Sequence, residues 1–120
     1  MPHQDHRKIH GDLSGYLGEE VALESFVDVG GVLTDPKNEW MQEIAEIMGG
    51  ILDEPIESNT APYFTDASVL TPAYGGAPTV ILGPGETAMA HQTDEYCRVD
   101  RIIEATSGYI EIARRWTTKP

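Results

Sequence analysis

The chain has 120 residues, the size of one small domain, and its 40% of apolar residues suffice for a modest core. Its formal charge of −12 argues against nucleic acid or an anionic membrane as a partner, and no apolar run approaches the roughly 20 residues that span a bilayer. The single cysteine, Cys97, excludes an internal disulfide and a cysteine zinc finger. The N-terminal residues are polar and show no secretory signal, so together with the single cysteine they predict a cytoplasmic location.

The N-terminal quarter predicts a helix followed by a strand. Apolar residues at four-residue steps indicate a helix over residues 4–17: Ile9, Leu13 and Leu17. Gly18 is placed to end this helix, and residues 21–29 are strand-like because apolar and polar side chains alternate imperfectly there. His6 and His10 lie one helical turn apart, which is typical either of a metal-chelating pair or of a solvated helix face.

Two helices are predicted in the middle of the chain and one at its end. Asp35 as N-cap and Pro36 at the first helical position predict a helix that stops at Gly49-Gly50. Residues 65–70 predict a short helix entered from an N-cap. The strongest pattern is the last one, a continuous apolar helical face formed by Val99, Ile102, Ile103, Thr106, Tyr109, Ile110, Ala113 and Trp116.

The β-branched run 79–82 predicts a buried strand that feeds into the Gly83-Pro84-Gly85 turn, so the fold class expected is α/β. The bare backbone N–H groups of such a turn can hold a carboxylate or an oxyanion, or the turn simply leads out of the strand. His91 follows a few residues later, in the kind of loop where α/β sites collect. It is either a metal ligand or proton carrier, or an ordinary loop histidine.

Thr65 and Asp66 have two interpretations of their own. They either support the ligands of a site or form the N-cap of the short helix that follows them. Cys97 has no obvious base nearby in the sequence and is expected to be a small core residue.

Three short motifs in this part of the chain follow one another in a characteristic order. They are Thr65-Asp66-Ala67, the run from Gly76 to Gly85, and Ala90-His91-Gln92-Thr93-Asp94-Glu95-Tyr96. Together they resemble the C-terminal part of the M20 family of metal-dependent amidohydrolases and peptidases, which includes acetylornithine deacetylase and succinyl-diaminopimelate desuccinylase. Upstream, residues 2–6 and 34–36 resemble the end of the family's lid domain and the return to its catalytic domain.

This resemblance implies a role for each candidate residue. His91 matches the last metal ligand, on one of two zinc ions, although cobalt or manganese would suit one imidazole equally well. Gly83 and Gly85 match the turn whose backbone meets the substrate's carboxylate, while Thr65 and Asp66 match a pair that lines and supports the site. The implied reaction is cleavage of N-acyl amino acids or small peptides by a water that two metal ions and a glutamate base activate.

The resemblance also implies an incomplete enzyme. Residues 1–32 match the last helix and strand of the lid domain, and residues 33–120 match the C-terminal part of a three-layer α/β catalytic domain. The family takes its other metal ligands and its glutamate base from an N-terminal half that nothing here matches. We therefore expect the chain alone to bind zinc weakly and to be inactive, with the missing half or another copy of the chain covering its exposed apolar surface. The alternative is a non-catalytic, acidic α/β module that binds a partner.

Overall fold

The computed structural model describes residues 5–118 and is helical throughout its regular structure. The elements are α1 (His6–Leu17), α2 (Glu39–Leu52), α3 (Ala67–Ala73) and α4 (Val99–Thr118), with one turn of 3₁₀ helix at Thr87–Met89. The four predicted helices, one near the start of the chain, two in its middle and one at its end, are thereby confirmed. Within the described residues, no helix is both long and apolar enough to cross a membrane.

The expected α/β fold class is wrong for the part of the chain that the structure describes. Residues 79–82 and 21–29, which were predicted to form strands, are irregular, and residues 5–118 contain no strand. A strand requires a neighbour whose backbone N–H and C=O groups complete the ladder, and a single β-branched run is not stable without one. The sequence pattern therefore shows that residues 79–82 favour a strand, but without a neighbouring strand in the described chain they do not form one.

The helix ends are set by capping side chains, and one of them differs from the prediction. The Asp5 carboxylate accepts the backbone N–H groups at the start of α1, at 3.0 Å from Arg7 N. For α2 the N-cap is Asn38, whose Oδ1 accepts from Trp40 N at 2.9 Å, and not the predicted Asp35. Asp35 instead accepts from Lys37 N at 2.8 Å, in the turn before the helix.

The helix α2 also continues beyond its predicted end. It runs through Gly49-Gly50 to Leu52 and ends at Asp53, which adopts the left-handed conformation with φ 53°. The two glycines weaken a helix by propensity alone, but the packing of Ile47 and Met48 on the preceding turn holds this one.

The described chain divides into two compact units. One consists of the residues up to Leu33 together with Pro62–Thr79 and contains α1 and α3. The other consists of Thr34–Ala61 together with the residues from Val80 onward and contains α2 and α4.

In the second unit, α2 packs against α4 around a small apolar core. Ile44, Ile47 and Met48 of α2 and Ala105 of α4 are all buried. Gly108 permits the close approach, because a Cβ atom built on it would lie only 2.5 Å from the Met48 sulfur.

Two further contacts link the same pair of helices. The rings of Trp40 and Trp116 meet edge to face with their centroids 5.4 Å apart, a favourable aromatic geometry. The Arg115 guanidinium donates to Glu46 Oε1 at 3.1 Å and, along its own helix, to Glu111 Oε1 at 3.2 Å. The pKa of Arg115 is raised by these hydrogen bonds, the one to Glu111 first and the one to Glu46 second.

Apart from Trp116, the residues of α4 that contact α2 do not belong to the apolar face that the sequence pattern indicates. The side that is buried or half-buried consists of Arg101, Glu104, Ala105, Gly108, Glu111, Ile112 and Arg115. The opposite side, which we call the outer face, is exposed and consists of Val99, Ile102, Ile103, Thr106, Tyr109, Ile110 and Ala113. Small side chains at 105 and 108 let the backbones approach, which explains why this side packs.

In the first unit, α1 contains no buried residue. Its apolar stripe is exposed by 41% at Ile9, 48% at Leu13 and 39% at Leu17. The His6 imidazole contacts the Asp28 carboxylate, and this contact ties the irregular segment after α1 back to the helix.

Candidate functional site

The Gly83-Pro84-Gly85 turn is a bend on the surface of the second unit. Both glycines are exposed, and among the described residues no atom lies within 4 Å of a Cβ built on either of them. Neither glycine adopts the left-handed backbone conformation that favours glycine over other residues. Glycine is therefore not required by the described structure for the turn to form.

His91 lies in the same unit, two residues after the 3₁₀ turn Thr87–Met89. It is exposed and adopts the left-handed conformation with φ 62°, and Asp94 adopts the same conformation with φ 62°. Histidine and aspartate are among the few residue types enriched in this region of backbone space. The Ala-His-x-x-Asp-Glu motif is thus a loop in which two non-glycine residues adopt an uncommon backbone conformation.

Glu95 has a structural part in this loop that sequence reasoning did not assign. Its carboxylate accepts the backbone N–H of His91, with 3.2 Å between Glu95 Oε2 and His91 N. This hydrogen bond closes the loop across four residues and holds the backbone at His91. The signal was present in the sequence as the fixed spacing of the two residues within the motif, but only coordinates show which atoms meet.

Cys97 is exposed, so the expectation that it is a small core residue is wrong. Its Sγ donates to the carbonyl oxygen of Pro84 at 3.4 Å. Because Pro84 is the central residue of the glycine turn, this contact connects the turn to the residues that lead into α4.

A charged pair lies at the start of α4. The Arg98 guanidinium donates through Nε to Asp100 Oδ1 at 3.1 Å and through a second nitrogen to Oδ2. The hydrogen bond from Arg98 is the largest cause of a lowered pKa for Asp100, and the same bond is the largest cause of a raised pKa for Arg98. Asp100 also lies in the first turn of the helix, where a negative charge is favoured.

Thr65 and Asp66 belong to the first unit, next to α3. Thr65 is half-buried and its Oγ1 accepts from Ala67 N at 3.3 Å. Asp66 occupies the N-cap position, but within the described chain its side chain makes no capping hydrogen bond. Locally, the pair starts a short helix, and of the two predicted capping residues it is Thr65 whose hydroxyl accepts the hydrogen bond.

The described residues do not fit a metal centre by themselves. Among residues 5–118, no three histidine, cysteine, aspartate or glutamate side chains are close enough together to hold one ion. A catalytic zinc ion takes three protein ligands, and a two-ion site takes more. His91 can therefore serve as one ligand of such a centre only if the remaining ligands come from outside the described residues.

The comparison with protein families gives one match. Residues 7–115 match Peptidase family M20/M25/M40, and this range includes the glycine turn, His91 and all four helices except the ends of α1 and α4. No curated protein and no solved structure matches the chain.

Because the match covers nearly the whole chain, the chain is assigned to the class of metal-dependent hydrolases. The chain belongs to peptidase family M20/M25/M40.

Proposed function

We propose that the chain supplies one metal ligand, His91, and a substrate-binding turn, Gly83 to Gly85, to a hydrolase that cleaves N-acyl amino acids or small peptides. The observation that carries this proposal is the family match over residues 7–115, which spans both elements. The exposed position of His91 in a loop closed by Glu95 supports it, because a ligand has to be oriented and accessible.

The proposal divides the work between this chain and other residues. The described part of the chain lacks a group of ligating side chains, so the other ligands of a zinc, cobalt or manganese centre come from outside it. The family's N-terminal half is the source that we propose. The chain alone is then expected to be inactive, and Thr65 and Asp66 line the completed site. We also propose that the enzyme is cytoplasmic, where the reducing environment would keep the exposed thiol of Cys97 reduced.

The decisive experiment is complementation. The chain is combined with a separately produced N-terminal half of an M20 enzyme, and hydrolysis of N-acetyl amino acids, N-succinyl amino acids and dipeptides is measured by release of free amine. We expect no hydrolysis by either piece alone and measurable hydrolysis by the mixture. A mixture that remains inactive on every substrate would contradict the proposed division.

His91→Asn is the variant that tests the metal ligand. Asparagine tolerates the left-handed backbone at this position, so the imidazole is removed without straining the loop. Hydrolysis by the mixture is expected to fall well over tenfold, since even the loss of a residue that supports a ligand lowers activity about 10–100-fold. His10→Asn, at a half-buried histidine of α1 in the other unit, is the matched control and should leave activity unchanged.

Gly83→Ala and Gly85→Ala test the turn. Neither backbone conformation nor space in the described structure forbids a methyl group at these positions, so both variants should fold normally. If the turn meets the substrate's carboxylate, the added methyl group obstructs that contact. KM should then rise severalfold while kcat changes little, and amide substrates without a carboxylate should be unaffected.

A further inference from the structure

Two side chains from the C-terminal part of the chain hold the backbone of the glycine turn. The Tyr109 hydroxyl, on α4, donates to the carbonyl oxygen of Leu82 at 2.9 Å. The Cys97 thiol, just before α4, donates to the carbonyl oxygen of Pro84 at 3.4 Å. The two donors therefore bind the carbonyl groups that immediately precede the two glycines of the turn.

Each of these carbonyl groups belongs to the same peptide group as the N–H of the glycine that follows it. A trans peptide group is planar, so its C=O and its N–H point in opposite directions. Within the described chain no peptide bond is cis. The hydrogen bond from Tyr109 therefore points the Gly83 N–H away from Tyr109. The hydrogen bond from Cys97 likewise points the Gly85 N–H away from Cys97.

The two glycines lie on the open side of the turn. Leu82 and Pro84 are half-buried, whereas both glycines are exposed. No described atom lies within 4 Å of a Cβ built on either glycine, so a ligand atom can approach the backbone there. Among residues 5–118, no backbone carbonyl accepts the N–H of Gly83 or of Gly85. Two N–H groups are thus fixed in direction by side chains and directed toward open space.

We propose that Tyr109 and Cys97 are positioning residues for the glycine turn. Through the carbonyl groups that they bind, they orient the N–H groups of Gly83 and Gly85 toward a carboxylate. Donors that are oriented in advance bind a ligand more tightly, because less conformational freedom is lost on binding. A hydrogen bond at the carbonyl also polarises the peptide group and makes its N–H a stronger donor. The choice of a carboxylate as the ligand rests on the proposed function, in which the turn meets the substrate.

The test is an NMR titration of the isotope-labelled chain that follows the amide resonances of Gly83 and Gly85. The probes are N-acetylglycine and N-acetylglycinamide, which differ only in the carboxylate. We expect N-acetylglycine, and not the amide, to shift both resonances. In Tyr109→Phe, which removes only the hydroxyl, the dissociation constant for N-acetylglycine should rise about twofold to tenfold, since one hydrogen bond is lost.

Variants of the second donor and a matched control separate positioning from a general loss of structure. Cys97→Ala should weaken the binding of N-acetylglycine, and Cys97→Ser, which keeps a donor, should restore most of it. Tyr16→Phe, at an exposed tyrosine of α1 in the other unit, should bind N-acetylglycine like the unchanged chain. Circular dichroism of every variant checks that the helices are retained.

The resonances themselves give a signature before any probe is added. Because each donor acts on one peptide group, Tyr109→Phe should move chiefly the Gly83 amide resonance. Cys97→Ala should move chiefly the Gly85 amide resonance. A variant that loosened the whole unit would instead move the resonances of α2 and α4 as well.

Three results would overturn the proposal. They are glycine resonances that do not respond to N-acetylglycine or respond equally to the amide, equal affinities in the unchanged chain, Tyr109→Phe and Cys97→Ala, and glycine resonances that neither substitution moves.

These measurements use the chain without metal and without hydrolysis, so they are decided separately from the proposed function. An inactive complemented mixture would contradict the proposed function and leave the NMR results as they are. In an active mixture, Tyr109→Phe should raise KM severalfold for substrates with a carboxylate, with kcat little changed. A fall in kcat at constant KM would contradict a positioning role at the turn.

Discussion

Helices α1 and α4 have similar sequence patterns but differ in how they pack. Each carries an apolar stripe at three- and four-residue steps, and each contains glycine in its interior. In α1 no residue is buried, and nothing in the described chain lies within 4 Å of a Cβ built on Gly11 or Gly15. In α4 the glycine at 108 meets Met48 of α2, and Ala105 beside it is buried.

The comparison teaches that a stripe shows which surface a helix could bury, while a complementary neighbour decides which surface it does bury. Helix α4 packs through its small residues because close approach of two backbones brings many atoms into contact. Its large aliphatic side chains remain on the outer face. A helix buried on one side and apolar on the other has positions for two neighbours, of which the described chain supplies one.

The largest expected effect on stability comes from a substitution in the core that α2 and α4 share. Ile47 is only 3% exposed, so Ile47→Ala leaves a cavity between α2 and α4 and should lower the free energy of unfolding by about 2–5 kcal/mol. Leu13→Ala, on the exposed stripe of α1, should change it by no more than about 0.5 kcal/mol. Urea denaturation followed by circular dichroism measures both, and equal effects would remove the distinction between the two helices.

Glycine-to-alanine substitutions sharpen the comparison, because the added methyl group is hindered at Gly108 and unhindered at Gly50. At Gly108 the new methyl group collides with the Met48 sulfur, and overpacking of about 1–3 kcal/mol outweighs or cancels a gain in helix propensity of about 1 kcal/mol. At Gly50, in the interior of α2, nothing in the described residues is close, so Gly50→Ala should stabilise by about 0.5–1 kcal/mol. Thermal unfolding of the two variants decides the point, and a more stable Gly108→Ala protein would argue against the close helix contact.

A smaller effect is expected from the charges that link α2 and α4. Arg115→Gln removes the hydrogen bonds to Glu46 and Glu111 and should lower the unfolding temperature slightly, with the difference from the unchanged protein shrinking as salt is added. Arg114→Gln serves as the control, because it removes the same charge from the neighbouring position. If the two variants behave alike at every salt concentration, the ion pair with Glu46 contributes nothing specific.

The smallest effect concerns the start of α4 and depends on pH. The pKa of Asp100 is lowered in the folded chain, chiefly by the hydrogen bond from Arg98. Its carboxylate therefore stabilises the fold at neutral pH, and this contribution is lost as the pH falls through the lowered pKa. Asp100→Asn should be less stable than the unchanged protein at pH 7 and equally stable in acid. A stability difference between the two proteins that is the same at every pH would contradict this prediction.

Local rules explain most of what could be predicted from the sequence about helix positions. Termination of α1 by Gly18 and the long apolar stripe of α4 depend on residues close together in the sequence, so both could be predicted. The start of α2 was misplaced because two capping residues, Asp35 and Asn38, lie close together and the sequence does not show which one begins the helix.

Less of the candidate site could be predicted, because it depends on contacts between distant atoms. The motif around His91 drew attention to this loop, but the link from Glu95 to the His91 backbone and that from Cys97 to the glycine turn appear only in coordinates. The roles of His91, Gly83, Gly85, Thr65 and Asp66 in hydrolysis remain predictions that the complementation experiment addresses.

By itself, the sequence determined the four helices to within a few residues, the apolar stripe of α1 and the motifs that agree with membership of the M20 family. Only the tertiary structure decided that residues 79–82 form no strand within the described chain, that Cys97 is exposed, and that α4 packs through Gly108 rather than through its aliphatic face. The physical reason is common to all three. Helices complete their backbone hydrogen bonds from their own residues, whereas strands and buried faces are completed by partners that sequence neighbours do not specify.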